Sequence, residues 1–232
     1  MTRIVWCLGL YASASTWVFN VLREMAATTG PVKTHFLSTS FTPPDLTAPA
    51  THLIKTHEVD NQAALAWLTA NATHILITLR DPRDAIASLI QYHNHDFPRA
   101  LDHVHRATSL CVKFAPDQRA KLYHYETKFF DDPKTLPQLA ECLALATPLE
   151  SLAHIFKNAR RENIEKYIST LPTKPGILRE RITGDLLDPE THWHTHHSGR
   201  TGQPGRWKTL LTPAQIQTAE QRLADVVTFK QQ

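Results

Sequence analysis

The sequence predicts a single α/β domain over residues 1–232, with a central parallel sheet flanked by helices. Three observations carry this expectation. Short apolar runs alternate with longer amphipathic patterns from residue 3 onward, as successive βαβ units require. Of the 232 residues 42% are hydrophobic and 20% charged, which suits one buried core and excludes a disordered chain. There is no internal repeat or low-complexity tract, so collagen-like, coiled-coil and mucin-like readings fall away.

The first strand is RIVWCLGL, 3 to 10. Arg3 before an apolar run, with Ala12-Ser13-Ala14 after it, has the outline of a secretory signal. Trp6 and Tyr11 in the run and a single leading Arg argue instead for a strand and loop. A helix is expected at 15 to 28, then strands at 32 to 38 and 51 to 57. A helix at 60 to 71 and a strand at 73 to 79 follow. Asp81 before Pro82 opens a helix at 82 to 93, because an acceptor side chain at the N-cap and proline at the first helical position both suit a helix start. Next come a helix at 98 to 115, a strand at 120 to 126 and a helix at 133 to 145. Trp67, Ile75, Leu76, Ile77, Ile86 and Leu89 are the expected core.

Beyond residue 146 the pattern changes to a charged helix, NARRENIEKY, and then to a stretch rich in Pro, Gly, His and Thr from 171 to 206. That length suits a functional lid or a mobile segment. A closing helix is expected at 213 to 228, with Thr212, Pro213 and Gln215 forming a capping box.

Lys plus Arg number 25 against 22 Asp plus Glu, a net charge of +3 without basic runs, which excludes a nucleic-acid binder and leaves room for an anionic small ligand. No stretch approaches the ~20 apolar residues of a membrane span. Cys7, Cys111 and Cys142 are too few and too far apart for a disulfide framework or a zinc knuckle, and read as reduced thiols of a cytoplasmic protein.

Parallel α/β sheets bind ligands beyond the carboxyl ends of their strands, so the loops leaving the first, third and fourth strands hold the candidate site. The first carries Tyr11 to Trp17, hydroxyl-rich and opening a helix, where free N–H groups with Ser13, Ser15 and Thr16 can cradle a phosphate. The same hydroxyls serve equally as plain N-caps. No GxxxxGK[ST] loop occurs, which counts against a small-metabolite kinase. The third strand ends in Lys55-Thr56-His57, placing a cation and an imidazole on one face. The fourth runs into Arg80, whose planar fork suits a second phosphate, with Ser88 two turns on. Arg83 and Asp84 read as an exposed surface pair.

Together these residues resemble the PAPS-dependent sulfotransferases of the cytosolic type. LYASASTW, 10 to 17, is similar to that family's YPKSGTTW, and Lys55-Thr56-His57 to its KTHLP. LRDPRDAIAS, 79 to 88, resembles its 3′-phosphate segment. Tyr125-Glu126 with TKFFDDP resembles YEDLKEDP, and Arg200 to Lys208 resembles RKGxxGDWK.

The resemblance implies a P-loop nucleotide-kinase-like fold. It also implies a donor, 3′-phosphoadenosine 5′-phosphosulfate (PAPS), and a product, 3′,5′-ADP (PAP), with no metal required. Ser13, Ala14, Ser15 and Thr16 would hold the 5′-phosphate side, and Trp17 would pack on the adenine near Tyr125. Arg80, Ser88, Arg200, Thr201 and Gly202 would hold the 3′-phosphate. His57, at a pKa near neutrality, would be the general base and Lys55 the leaving-group cation, acting on a hydroxyl or amine of a small-molecule or carbohydrate acceptor. The chain departs from the family at Ala12 and Ala14, where lysine and glycine stand, and at Thr201 and Arg206, where lysine and aspartate stand. The dimer segment KxxxTVxxxE appears only in part, at 208 to 217, which leaves oligomeric state open. Ala12 also keeps a non-catalytic nucleotide-binding module in view.

The segments 38 to 50, 90 to 100 and 165 to 198 are the expected acceptor lining. His192 to His197, lacking fixed geometry or an evident carboxylate, reads as lid border or acceptor wall rather than as a metal site. His93, His95, His103 and His105 read as ordinary exposed residues.

Overall fold

Strands β1 (Arg3–Gly9), β2 (Val32–Phe36), β3 (Thr51–Thr56), β4 (His74–Leu79) and β5 (Ala120–His124) pair in parallel in the order β2-β3-β1-β4-β5. The computed structural model describes residues 2–37, 41–180, 183–198 and 202–227. With β1 central, the connections leave it in opposite directions, and this reversal opens a crevice at the strands' carboxyl ends.

The three central strands β1, β3 and β4 are buried almost throughout because both faces are covered, while the edge strands β2 and β5 are partly exposed. Val5, Cys7, Leu53 and Leu76 face α1 (Ser15–Ala27), α5 (Thr135–Cys142) and α6 (Leu149–Asn158). Trp6, Leu8, Ile54, Ile75 and Ile77 face the other way, against α2 (Gln62–Asn71) and α4 (Phe97–Phe114). Trp6 meets Phe114 edge-on at 4.7 Å and donates to the Thr56 hydroxyl at 2.8 Å, so its buried indole N–H is satisfied. A third cluster joins α3 (Pro82–His93) and α4 to α8 (Trp207–Leu210) and α9 (Pro213–Leu223).

The expected caps are present. Asp81 accepts from Arg83 N at 2.9 Å beside Pro82, and Thr212 and Gln215 form the reciprocal box. Asn61 and Asp96 cap α2 and α4 in the same way, unannounced by the sequence reading.

Several expectations need correction. NARRENIEKY straddles a break: α6 ends at Asn158 and α7 (Arg161–Ser169) begins after Arg160, because the α6 C-cap backbone closes at Ala159. The strand at 120 to 126 gives way at Tyr125 to a short 3-10 turn. The 171 to 206 stretch has structure of its own, with β6 (Leu178–Arg179) pairing β7 (Leu186–Leu187) and Leu187 bridging His194. Trp67 is only half-buried, tilted against Phe41. Arg83 and Asp84 are not an exposed pair, being 6% and 3% accessible: Arg83 pairs with Asp81 and Glu220 and lies over the Trp207 ring at 3.9 Å.

Candidate functional site

A cavity of about 840 Å³ opens at the carboxyl ends of β1, β3 and β4. Every described residue expected at the site lines it: Ser13 to Trp17, Lys55, His57, Arg80, Ser88, Tyr125 and Gly202. Arg200 and Thr201 lie outside the described residues.

The loop after β1 is shaped by its backbone. Ala12 and Ala14 adopt left-handed φ values of 56° and 65°, each a departure costing about 1–2 kcal/mol. Left-handed residues alternating with ordinary ones turn successive N–H groups into a concave anion nest. Ala14 is the N-cap of α1 and has no side chain to cap it, so the N–H groups of Ser15, Thr16 and Trp17 face the cavity without an intrahelical acceptor. Gly9 is required beneath: a Cβ there would stand 2.4 Å from Ser15 Cβ and 2.6 Å from Thr78 Oγ1.

The hydroxyls divide their work. Ser13, fully buried, donates to Leu10 O at 2.5 Å and shares a hydrogen bond with Thr78 Oγ1 at 2.7 Å, so it braces the loop. Ser15, Thr16 and Ser88 make no side-chain hydrogen bond among the described residues and line the cavity. Trp17 is fixed by its indole N–H on Ala159 O at 2.9 Å and its edge contact with Phe129.

Arg80 is the hub of the other end. Its guanidinium donates to Ala12 O at 2.9 Å and Gln203 O at 3.2 Å, lies 4.2 Å over the Tyr125 ring and approaches Asp84 at 3.4 Å. Its Nε is buried without a hydrogen-bond partner among the described residues. Asp84, its side chain wholly withdrawn from solvent, accepts from the backbone N–H groups of Gly205 at 2.7 Å and Trp207 at 3.1 Å. One carboxylate thus fastens the segment before α8 onto α3.

Lys55 and His57 enter from β3 on the α1 side. The Lys55 ammonium is buried and forms no hydrogen bond or ion pair among the described residues; burial lowers its pKa to about 8. His57 donates from Nδ1 to Gly9 O at 2.6 Å, which leaves Nε2 with its lone pair, and stacks on Tyr11 at 4.4 Å. Tyr11 in turn donates to Glu58, which also accepts from His103 and Arg106. His57 does not sit near neutrality: withdrawal from water, reinforced by the Lys55 charge, pushes it down to about 3. His103, expected to be an ordinary exposed residue, is held at Glu58, and His93 lines the cavity, burial pushing it down to about 4.

Of the expected acceptor lining, Tyr92, His93, and His192 to His194 with His196 and His197 reach the cavity, while residues 41 to 50 do not. Arg206 of the Arg200–Lys208 motif and Glu165, at the start of the expected 165 to 198 lining, also reach it, while Lys128 and Arg161 line it without any signal in the sequence. Arg161 and Glu165 form an i,i+4 pair on α7 at 2.7 Å, which in sequence looks like any solvated helix face.

No family model and no curated protein sequence matches the chain. Among solved structures it is similar to mouse sulfotransferase SULT7A1 complexed with PAP, with a TM-score of 0.66 at 15% identity, covering 97% of this chain and 84% of that one. It is similar to retinol dehydratase in a complex with retinol and PAP, with a TM-score of 0.62 at 13% identity, covering 99% and 84%. Retinol dehydratase in complex with androsterone and inactive cofactor PAP gives 0.60 at 14%, covering 97% and 81%. The chain therefore has the sulfotransferase fold.

Proposed function

We propose that this protein is a sulfotransferase that moves a sulfuryl group from PAPS to a hydroxyl or amine of a small-molecule or carbohydrate acceptor. The observation that carries the reading is convergence. Motif residues from 13 to 202 in the sequence meet around one cavity, in a fold whose compared members hold PAP.

The cavity suits a nucleotide with phosphates at two ends. Unsatisfied N–H groups of Ser15, Thr16 and Trp17 and the free hydroxyls of Ser15 and Thr16 suit one anionic group, with Lys55 supplying charge where the family has a lysine at the Ala12 position. Arg80, with its unpartnered Nε, and Ser88 suit a second, while Trp17 and Tyr125 offer aromatic faces for a base. PAPS, when bound, supplies an electrophilic sulfur and a good leaving group.

The chain's own residues then orient and stabilise, as in phosphoryl transfer. His57 Nε2, free because Nδ1 is committed to Gly9, takes the proton of the attacking hydroxyl. Lys55 neutralises charge building on the departing oxygen, typically worth a few kcal/mol for one well-aimed donor. Nothing in this scheme calls for a divalent metal, and the three free thiols accord with a reducing cytoplasm.

Calorimetric titration with 3′,5′-ADP, without magnesium, tests the reading. Wild type and His57→Ala are expected to bind at micromolar affinity, and Arg80→Ala to lose binding. Labelled PAPS then identifies acceptors. Absence of binding by folded wild-type protein overturns the proposal. Binding by wild type with no turnover across acceptor classes would favour the non-catalytic nucleotide-binding module, which Ala12 and the low basicity of His57 make the second reading.

A further inference from the structure

The carboxylate that the histidine-rich segment lacks in sequence arrives through the fold. Asp185 lies nine to eleven residues before its partners, across a turn. Its Oδ2 stands 3.1 Å from His194 Nδ1 and 2.5 Å from His196 Nδ1. We propose that Asp185, His194 and His196 bind one zinc-class divalent transition-metal ion on the loop that walls the cavity. This stands independently of the nucleotide reading.

Geometry carries the assignment. One donor atom from each residue can be chosen so that all lie within 4.8 Å of one another. Donors around tetrahedral zinc, with bonds of about 2.0–2.1 Å, are roughly 3.3 Å apart; the 3.1 Å between Asp185 and His194 is near that, and side-chain shifts of under an ångström bring His196 to it. The side chains are only 8%, 17% and 15% exposed, so water competes weakly. A full triad of this kind leaves a fourth coordination position, and His194 and His196 both face the cavity.

The scaffold is set before any ion arrives. The two arms bearing the donors are joined by the Leu187–His194 bridge, by Asp188 N donating to Trp193 O at 3.0 Å, and by Leu186 N donating to Thr195 Oγ1 at 3.1 Å. Thr195 donates its hydroxyl to Asp185 Oδ1, which aims Oδ2 at the imidazoles, the outer-shell contact that ligating carboxylates usually carry. His93 meets His196 edge-on at 4.8 Å, the next donor in line. Two imidazole nitrogens disfavour calcium and magnesium, and the missing thiolate disfavours copper(I) and iron–sulfur chemistry.

The test uses the full chain after chelator treatment, titrated with Zn²⁺ by calorimetry and with Co²⁺ by visible absorption. One equivalent is expected to bind, with the intense d–d bands of low-coordinate cobalt and a melting temperature raised by about 5 °C or more at saturating zinc. Asp185→Asn and His194→Ala are each expected to weaken binding at least ten-fold and abolish the thermal shift. His105→Ala, which alters a histidine paired with Asp225 away from the cavity, is expected to bind as wild type. His196→Gln serves as the ligand variant should Asp185→Asn melt early without metal. No saturable binding by wild type, or ligand variants that bind as tightly as His105→Ala, would overturn the site.

Discussion

The imidazole of His57 donates from Nδ1 to the carbonyl of Gly9 at 2.6 Å, across the gap between β3 and β1. That bond fixes the tautomer, so the nitrogen facing the cavity is an acceptor before any substrate arrives. It also ties the candidate base to the strand that launches the anion nest, and the two halves of the proposed chemistry share one backbone group.

Gly9→Ala is expected to damage both halves at once. The new Cβ meets Ser15 Cβ and Thr78 Oγ1 well inside contact distance. A loss of about 1–3 kcal/mol in stability, as for overpacking elsewhere, should accompany weaker 3′,5′-ADP binding. Denaturant melts and calorimetry on the same preparation check it.

Lys55 should set the alkaline limb of activity. Its folded pKa, about 8, lies below the ordinary value, so the free protein loses this charge as pH rises through 8, and under the proposed chemistry kcat/KM for PAPS should fall there. His57, lowered to about 3, is neutral from pH 5 upward and should add no acid limb above that. A kcat/KM profile from pH 5 to 10 measures both.

The same depression has a sign for stability. A cation whose folded pKa is lowered destabilises the fold below that pKa, and the penalty fades as pH rises from about 8 toward the unfolded value near 10.5. Lys55→Met is therefore expected to be more stable than wild type at pH 7, by roughly 1–3 kcal/mol, and nearly inactive. Urea titrations at pH 7 and pH 10 should show the gap closing.

Tyr11 offers a contrast between stacking and hydrogen bonding. Tyr11→Phe keeps the ring against His57 and loses only the hydroxyl bond to Glu58, so kcat should change by a few fold. Tyr11→Ala removes the stack as well and should lower kcat at least ten-fold with a smaller change in KM. Steady-state kinetics on the pair separate the two contributions.

Asp84→Ala should loosen the cavity from a distance. Removing it strands the backbone N–H groups of Gly205 and Trp207 and leaves Arg80 without its buried counter-charge, a change that costs about 3–5 kcal/mol in comparable sites. Hydrogen exchange at Gly205 and Trp207 should accelerate well before exchange in β1 does.

What the sequence made legible was local. The parallel sheet followed from apolar runs such as Ile75 to Leu79 alternating with helical patterns, and Lys55 and His57 followed from a strand end carrying two polar residues on one face. Trp67, apolar in composition, lies mid-way along α2 on a side that is half in water, against Phe41, which hydrophobicity alone does not reveal. The burial of Asp84 is silent in the sequence because its partners, Gly205 and Trp207, lie more than a hundred residues away, and a charged residue in a helix's first turn ordinarily faces solvent. Arg161 and Glu165 carry the pattern of an exposed helix, and only the placement of α7 over the cavity gives them a different role. Asp185 is likewise silent in one dimension, since only the turn between β7 and His194 brings it to the histidines.

The fastening of Gly205 and Trp207 to Asp84 also bears on how the protein is made. During synthesis β5 is finished at His124, and all five strands can assemble while the closing segment is still unwritten. Roughly eighty more residues, several seconds at ordinary elongation rates, must be added before α8 reaches its place. Until α8 is in place Asp84 has neither of its backbone N–H partners, and its carboxylate is left to Arg80 and the solvent. Ribosome-bound intermediates would therefore lack the closed cavity, which would be completed late and all at once.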